Sequence, residues 1–313
     1  MHRLADLRFS DIYIGEEKSW LSGLPDGGDP VPTPPETEND IHAIRQRCSE
    51  YRQESGRQEF NLRYDNVVYR VSTLFSLEEI VYILRPFPAN VPALIDLGVH
   101  PSIISLVLQP RMTGMIVIAG AYGQGKTTTA SSLVIERLKR YGGICVSIED
   151  PPEMPLQGRH GEGVCYQTEV SQGGFADACR YAARWAPTII FLGEIRDAET
   201  ATEALKASIN GRLVVCTIHA DSPWSAIERL YSLASNSALS SEDVSSLLAN
   251  GLSVVLHQHL ANSPRRPMIK PISVKGDENK SVQSLIRNKK WEQLENIMTL
   301  QVNRMLNTMR SVN

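Results

Sequence analysis

Residues Gly114–Thr127 read Gly-Met-Ile-Val-Ile-Ala-Gly-Ala-Tyr-Gly-Gln-Gly-Lys-Thr, an apolar run that ends in a glycine-rich turn and a lysine–threonine pair. The second half, from Gly120, is a complete G-x-x-x-x-G-K-[ST]. Ahead of it lies a strand pattern, GMIVIA, and behind it a helical pattern over Lys126–Arg140. A strand before and a helix after are the context of a phosphate-binding loop; alone, the match could be a chance glycine turn. Gly120, Gly123 and Gly125 let the backbone bend until its N–H groups converge on phosphate oxygens. The helix start, with Gln124 and Thr128 flanking it, adds the partial positive charge of its N-terminus. Lys126 would reach the β- and γ-phosphates, and the Thr127 hydroxyl would ligate Mg²⁺.

Working outward, strands alternate with helices. Strand Ile144–Ile148 is followed by a loop to Gly174, helix Phe175–Trp185 and strand Thr188–Leu192. Helix Ala198–Ile209, strand Arg212–Ile218 and helix Trp224–Ala234 come next. Continuous Val/Ile/Leu runs are buried on both faces, so the expected fold class is α/β with a mostly parallel sheet between helices. After Glu242 the pattern is mainly helical, with strand candidates at Ser253–His257 and Pro267–Val274 and an amphipathic tail over Ser281–Arg310.

Three of these strands end in reactive side chains. Thr188–Leu192 runs into Glu194, beside the phosphate loop if the two strands are neighbours. A carboxylate there can orient or deprotonate an attacking water; the plainer reading is a solvated residue that favours the next helix dipole. Strand Ile144–Ile148 runs into Glu149, Asp150 and Glu153. Asp150 is a candidate Mg²⁺ ligand, and Glu149 and Glu153 are candidates for placing the water, although Pro151 and Pro152 also suit an ordinary turn. Strand Arg212–Ile218 runs into His219, whose neutral imidazole can sense a γ-phosphate.

The N-terminal part has a different texture. Ser10–Ile14 alternates as a strand, and Gly23–Asn39, above all Gly23–Pro35, is a Pro/Gly-rich loop. Asp40 is a candidate cap for a helix to about Gln53, and strand patterns follow at Glu59–Tyr64, Asn66–Leu74 and Glu79–Leu84. The expected organisation is a small α+β domain over 1–86, a linker and connecting helix over 87–110, and the α/β domain over 111–313. Pro86–Pro92 reads as the break between them. The chain has 313 residues, 42% hydrophobic and 21% charged, enough to build a full core. A net charge of −3 argues against a general nucleic-acid coat. No apolar run approaches the ~20 residues of a membrane span. Five scattered cysteines without a CxxC exclude a zinc ribbon or disulfide framework and suit a reducing compartment.

GAYGQGKTTT, SIEDPPE, APTIIFLGEIRDAET and GRLVVCTIHADSP, in that order, resemble the secretion and pilus-motor ATPases of bacteria. The resemblance extends over about Phe9–Arg304, with SDIYI similar to the family's opening strand and SVQSLIRNKK to a C-terminal helix of pilus-retraction members. It implies a homohexamer of subunits, each with a PAS-like N-terminal domain and a RecA-like ATPase domain. ATP hydrolysis with Mg²⁺ would power a type IV pilus, type IV secretion or conjugative apparatus. It further implies a cytoplasmic protein held peripherally at the inner membrane by platform proteins, with no direct nucleic-acid binding.

The same resemblance makes His219 a site residue. Arg70 and Arg85 align with strand arginines that members present to the neighbouring subunit's nucleotide, where added positive charge favours phosphoryl transfer. The sequence departs from the family pattern at Arg212 and His259, which stand where many relatives have histidine and arginine, and it lacks the tetracysteine zinc module. These departures favour the retraction motors or the type IVB secretion and conjugation ATPases. The alternative class is a RecA-like nucleic-acid motor, which needs a basic channel with stacking aromatics. Arg180, Arg184 and Arg212 are its candidate residues.

Overall fold

The computed structural model describes residues 3–24, 30–170, 173–262, 265–276 and 279–310. Two compact units form, one of Met1–Ala89 with Pro151–Pro155, the other of Asn90–Asp150 with Leu156–Asn313.

In the first unit, β1 (Asp11–Ile14), β2 (Ser19–Ser22), β3 (Val31–Pro32), α1 (Glu38–Ser55), β4 (Glu59–Tyr64), β5 (Val67–Phe75) and β6 (Ile80–Pro86) follow in order. The strands form one antiparallel sheet, β3-β2-β1-β6-β5-β4. Period-two alternation sends Ile12, Ile14, Phe60, Tyr69, Val71, Tyr82 and Leu84 to one face, where they enclose Ile44 and Cys48 of α1. Asp65 and Asn66 join β4 to β5 with φ of 44° and 64°, the positive values that a two-residue hairpin turn of matching twist requires.

Asp40 does not cap α1. The helix starts earlier, with Thr37 at the N-cap, and Asp40 accepts from the Leu4 N–H at 3.0 Å and the Tyr64 hydroxyl at 2.8 Å. The loop expected over Gly23–Asn39 is shorter than its composition implied, because β3, a 3₁₀ turn at Pro35–Thr37 and the first turn of α1 occupy its second half. Residues 25–29 of that loop lie outside the described residues.

The second unit begins with α2 (Pro101–Val107), β7 (Gly114–Ala119), α3 (Lys126–Tyr141), β8 (Gly143–Glu149), β9 (Gly158–His160), β10 (Gly163–Glu169) and α4 (Phe175–Arg184). It continues with β11 (Ile189–Leu192), α5 (Ala198–Ile209), β12 (Leu213–Ile218), α6 (Pro223–Ser235) and α7 (Ser241–Gly251). β13 (Leu252–Asn262), β14 (Arg265–Ser273), α8 (Lys280–Arg287) and α9 (Gln293–Arg310) complete it. The sheet order is β14-β13-β7-β12-β11-β8-β10-β9. The inner pairings are parallel and the outermost two antiparallel, so the fold is mixed α/β.

Every residue of β7, β11 and β12 is buried, as continuous aliphatic runs demand when helices cover both faces. Each Val, Ile or Leu so buried stabilises the fold by about 1.5–3 kcal/mol. Arg137, buried on α3, donates to the carbonyls of Val107 at 2.8 Å and Gln109 at 3.1 Å, anchoring the segment after α2.

Three expectations are corrected. The stretch expected as a loop to Gly174 carries β9 and β10, and β10 pairs in parallel with β8. Its sequence, Gly-Val-Cys-Tyr-Gln-Thr-Glu, mixes polar and apolar residues because only one face is covered. The two short strand candidates near the C-terminus are one long antiparallel hairpin, β13–β14. The tail is two helices rather than one, interrupted near Lys289, whose φ is 58°.

Candidate functional site

The parallel strands end their reactive residues along one sheet edge. β7 leads into the phosphate loop, β12 into His219, β11 into Glu194, and β8 into Asp150. The strand of Glu194 is not the neighbour of β7: β12 lies between them, so His219 stands between the loop and the carboxylate. His219 Nε2 is 3.1 Å from Glu194 Oε1. On the other oxygen, Oε2, Glu194 accepts from Arg196 Nε at 2.8 Å and Nη2 at 2.7 Å. Arg196 thus binds Glu194 itself.

The loop conformation follows from its glycines. Gly123 and Gly125 have φ of 71° and 73°, left-handed values that favour glycine, and Gly125 caps α3. A Cβ on Gly120 would lie 2.3 Å from the Gln258 carbonyl oxygen, so the close approach of β13 demands glycine there. The N–H groups of the first turn of α3 point out of the helix start, as helix geometry requires. Lys126 donates to the Ala121 carbonyl at 2.8 Å. Tyr122, 86% exposed, lies with its ring 6.2 Å from the His219 ring and nearly parallel to it.

His219 has its pKa lowered, first by burial, then by the charge of Lys126, against which Glu194 acts in the raising direction. A neutral imidazole is therefore favoured there. Glu149 is only 1% exposed and accepts from the Ser147 hydroxyl and from Gln167 Nε2, the latter at 2.8 Å. A Cβ at Gly193 would come within 3.2 Å of the Glu149 side chain, so Glu149 packs under the corner that leads to Glu194. Asp150 follows β8 directly and is half-buried. The carboxylates are thus separated: Glu149 is buried and hydrogen-bonded, while Glu153 groups with the first unit and ion-pairs with Arg70.

Arg70 and Arg85 face each other directly across β5 and β6. Like charges so placed repel, and the surrounding carboxylates offset the repulsion. Arg70 pairs with Glu59 at 3.3 Å as well as Glu153; Arg85 makes a bidentate pair with Asp11 at 2.8 and 3.0 Å while remaining 67% exposed.

Sequence reasoning did not single out Tyr122, Gln167 or Gln258, nor Arg196 as the partner of Glu194. For Gln258 no signal stood out, because it lies between His257 and His259 in VVLHQHL, where a further polar residue is unremarkable. Among the described residues no group of three or more His, Cys, Asp or Glu side chains forms a metal cage. No helix among them is long and apolar enough to cross a membrane. All five cysteines are buried and free.

A buried parallel strand, β7, thus runs through a left-handed glycine loop into the lysine-headed helix α3, the arrangement expected of a phosphate-binding loop. Residues 46–294 match the family model described as "Type II/IV secretion system protein", and the chain belongs to that family. It is 32% identical over 192 residues to competence protein ComGA of Bacillus subtilis, a match covering 58% of this chain and 51% of that protein. The chain spans about half the length of the curated relatives it matches. Among solved structures it is similar to the pilus retraction motor PilT with bound ADP, with a TM-score of 0.76 and 26% identity over 95% of this chain and 87% of that one. The ATPase DotB of Legionella pneumophila shares the fold, with a TM-score of 0.74 and 22% identity over 93% of this chain and 85% of the other.

Proposed function

We propose that this chain is the ATP-hydrolysing subunit of a hexameric motor that drives a type IV pilus, type IV secretion or conjugative apparatus. The observation that carries the reading is the convergence of the Lys126 loop, His219 and Glu194 on one sheet edge, with His219 linking the carboxylate to the loop side. The second unit is then the RecA-like ATPase domain and the first a PAS-like domain.

Backbone N–H groups from Gly123 to Thr128 and the Lys126 ammonium hold the phosphates. Glu194 takes a proton from the attacking water, and the in-line displacement expels ADP. His219, neutral before nucleotide arrives, hydrogen-bonds Glu194 and reads the γ-phosphate. Glu149 acts by supporting the Gly193–Glu194 corner. Mg²⁺ takes few protein ligands besides phosphate oxygens and water, and the hard oxygens of Thr127 and Asp150 suit it. Arg70 and Arg85 are proposed to complete the nucleotide site of an adjacent subunit, exchanging their carboxylate partners for phosphate; Glu153 then serves as the resting partner of Arg70. The protein works in the cytoplasm, peripherally at the inner membrane, against platform proteins.

One observation favours the nucleic-acid motor as a second reading: the end of α4 and the residue after it expose Tyr181 and Trp185 beside Arg184, whose guanidinium lies 5.9 Å from the Tyr181 ring centre. Turnover of Mg-ATP by the purified protein separates the two. Stimulation by anionic phospholipid vesicles but not by single-stranded DNA at low salt supports the membrane-side motor; the reverse pattern overturns it.

A further inference from the structure

Gln258 lies on β13 just beyond His257, the residue that pairs with Ala119 at the end of β7, and so runs alongside the phosphate loop. It is 1% exposed. Its Nε2 donates to the Gln124 carbonyl at 2.6 Å, and Gln124 in return uses its side-chain Oε1 to accept the Leu260 N–H at 2.7 Å. The two glutamines therefore stitch the loop to β13 in both directions. The strand also sets the loop from below, since its Gln258 carbonyl occupies the space a Cβ on Gly120 would need, and Gln258 Nε2 lies 3.3 Å from where a Cβ on Gly125 would be.

The side-chain oxygen of Gln258 is buried and has no hydrogen-bond partner among the described residues. Buried polar atoms are nearly always satisfied, so an unpaired one calls for an explanation. Turning the amide over would aim the oxygen at the Gln124 carbonyl and lose the one bond it makes, so the stitch determines the orientation.

We propose that Gln258 is a positioning residue of the nucleotide site: through Gln124 it holds the phosphate loop in its anion-binding form before nucleotide arrives. The proposal rests on the nucleotide-site reading above. Preorganised donors bind tightly because their ordering is not charged to the binding step. A loop released from β13 must order itself around the phosphates each time. Loss of one such hydrogen bond corresponds to about five- to tenfold in affinity.

The test uses the full-length protein and a fluorescent ADP analogue as probe. Gln258→Met keeps the shape and removes the donor; Gln124→Ala, at a half-buried position, removes the acceptor for Leu260 and leaves the core untouched. Each variant is expected to bind the analogue about five- to tenfold more weakly, with KM for ATP raised by a similar factor and kcat within twofold. In the absence of nucleotide, amide exchange across 121–127 should quicken while the rest of the sheet keeps its protection. A Gln258→Met protein that folds, binds like the wild type and keeps the wild-type exchange across 121–127 overturns the proposal. If Gln258→Met does not fold, unchanged affinity and exchange in a Gln124→Ala, Gln258→Asn double variant, which loses both bonds, overturn it instead. Wild-type protein that fails to bind the analogue refutes the nucleotide reading instead, and the exchange of the empty loop still judges the stitch.

Discussion

Glu194 is held on both carboxylate oxygens, by His219 on one side and Arg196 on the other. Its availability as a base therefore depends on the state of His219. Burial and the nearby Lys126 ammonium both push the His219 pKa below its ordinary 6.5, and Glu194 only partly opposes them. ATP would neutralise Lys126 and bring negative charge to the same edge, which favours the protonated imidazole. The His219 pKa, followed by NMR of the ring nitrogens, should lie below 6.5 in the nucleotide-free protein and rise when a non-hydrolysable ATP analogue binds. A value at or above 6.5 without nucleotide would contradict this account of the site. At this scale the sequence was legible where a residue type follows a buried strand: the glycine loop, Glu194 and His219 do stand at the ends of β7, β11 and β12, while it was the resemblance that singled out His219. The pairing of Arg196 with Glu194 was not, because a neighbour two positions away in sequence tells nothing about whether two side chains turn toward each other.

Among the elements, strands made wholly of aliphatic residues declared themselves, since burial on both faces leaves only one composition. β10 did not. Its Gln, Thr and Glu residues fit a half-covered strand next to the sheet edge, and nothing in Gly-Val-Cys-Tyr-Gln-Thr-Glu separates that from a loop. What does hold β10 is close approach to α3: a Cβ on Gly163 would meet Leu138 side-chain atoms at 2.8–2.9 Å and its carbonyl oxygen at 3.0 Å. Gly163→Val should therefore destabilise the protein by about 1–3 kcal/mol, the usual cost of overpacking. Tyr166→Ala, on the exposed side of the same strand, should change stability by no more than about 0.5 kcal/mol. Denaturant titration of the two variants checks the pair; equal effects would mean that β10 does not pack on α3. Asp40 teaches a related lesson. The residue has the chemistry of a helix cap, yet Leu4 and Tyr64, distant in sequence, take its oxygens.

For the molecule as a whole, the proposed trans role of Arg70 and Arg85 makes a prediction about assembly rather than about one subunit. A trans arginine contributes ~10³-fold or more in phosphoryl transfer. Arg85→Ala and Glu194→Gln proteins, each inactive alone, should regain part of the turnover when mixed, because some sites then combine an intact Glu194 with an intact arginine from the next subunit. No recovery at any ratio would remove Arg85 from the neighbour's site. The proposed assembly comes from the resemblance alone, since strand alternation places both arginines on the face opposite the core and is silent on what they meet.

The central claim, that this sheet edge hydrolyses ATP with Glu194 as base, is tested most directly by comparing Glu194→Gln with the wild type in binding and turnover. The account predicts that the variant binds ATP with wild-type affinity and hydrolyses it at least ~100-fold more slowly, because shape is kept and the proton acceptor is lost. Hydrolysis at the wild-type rate by the Glu194→Gln protein would contradict it.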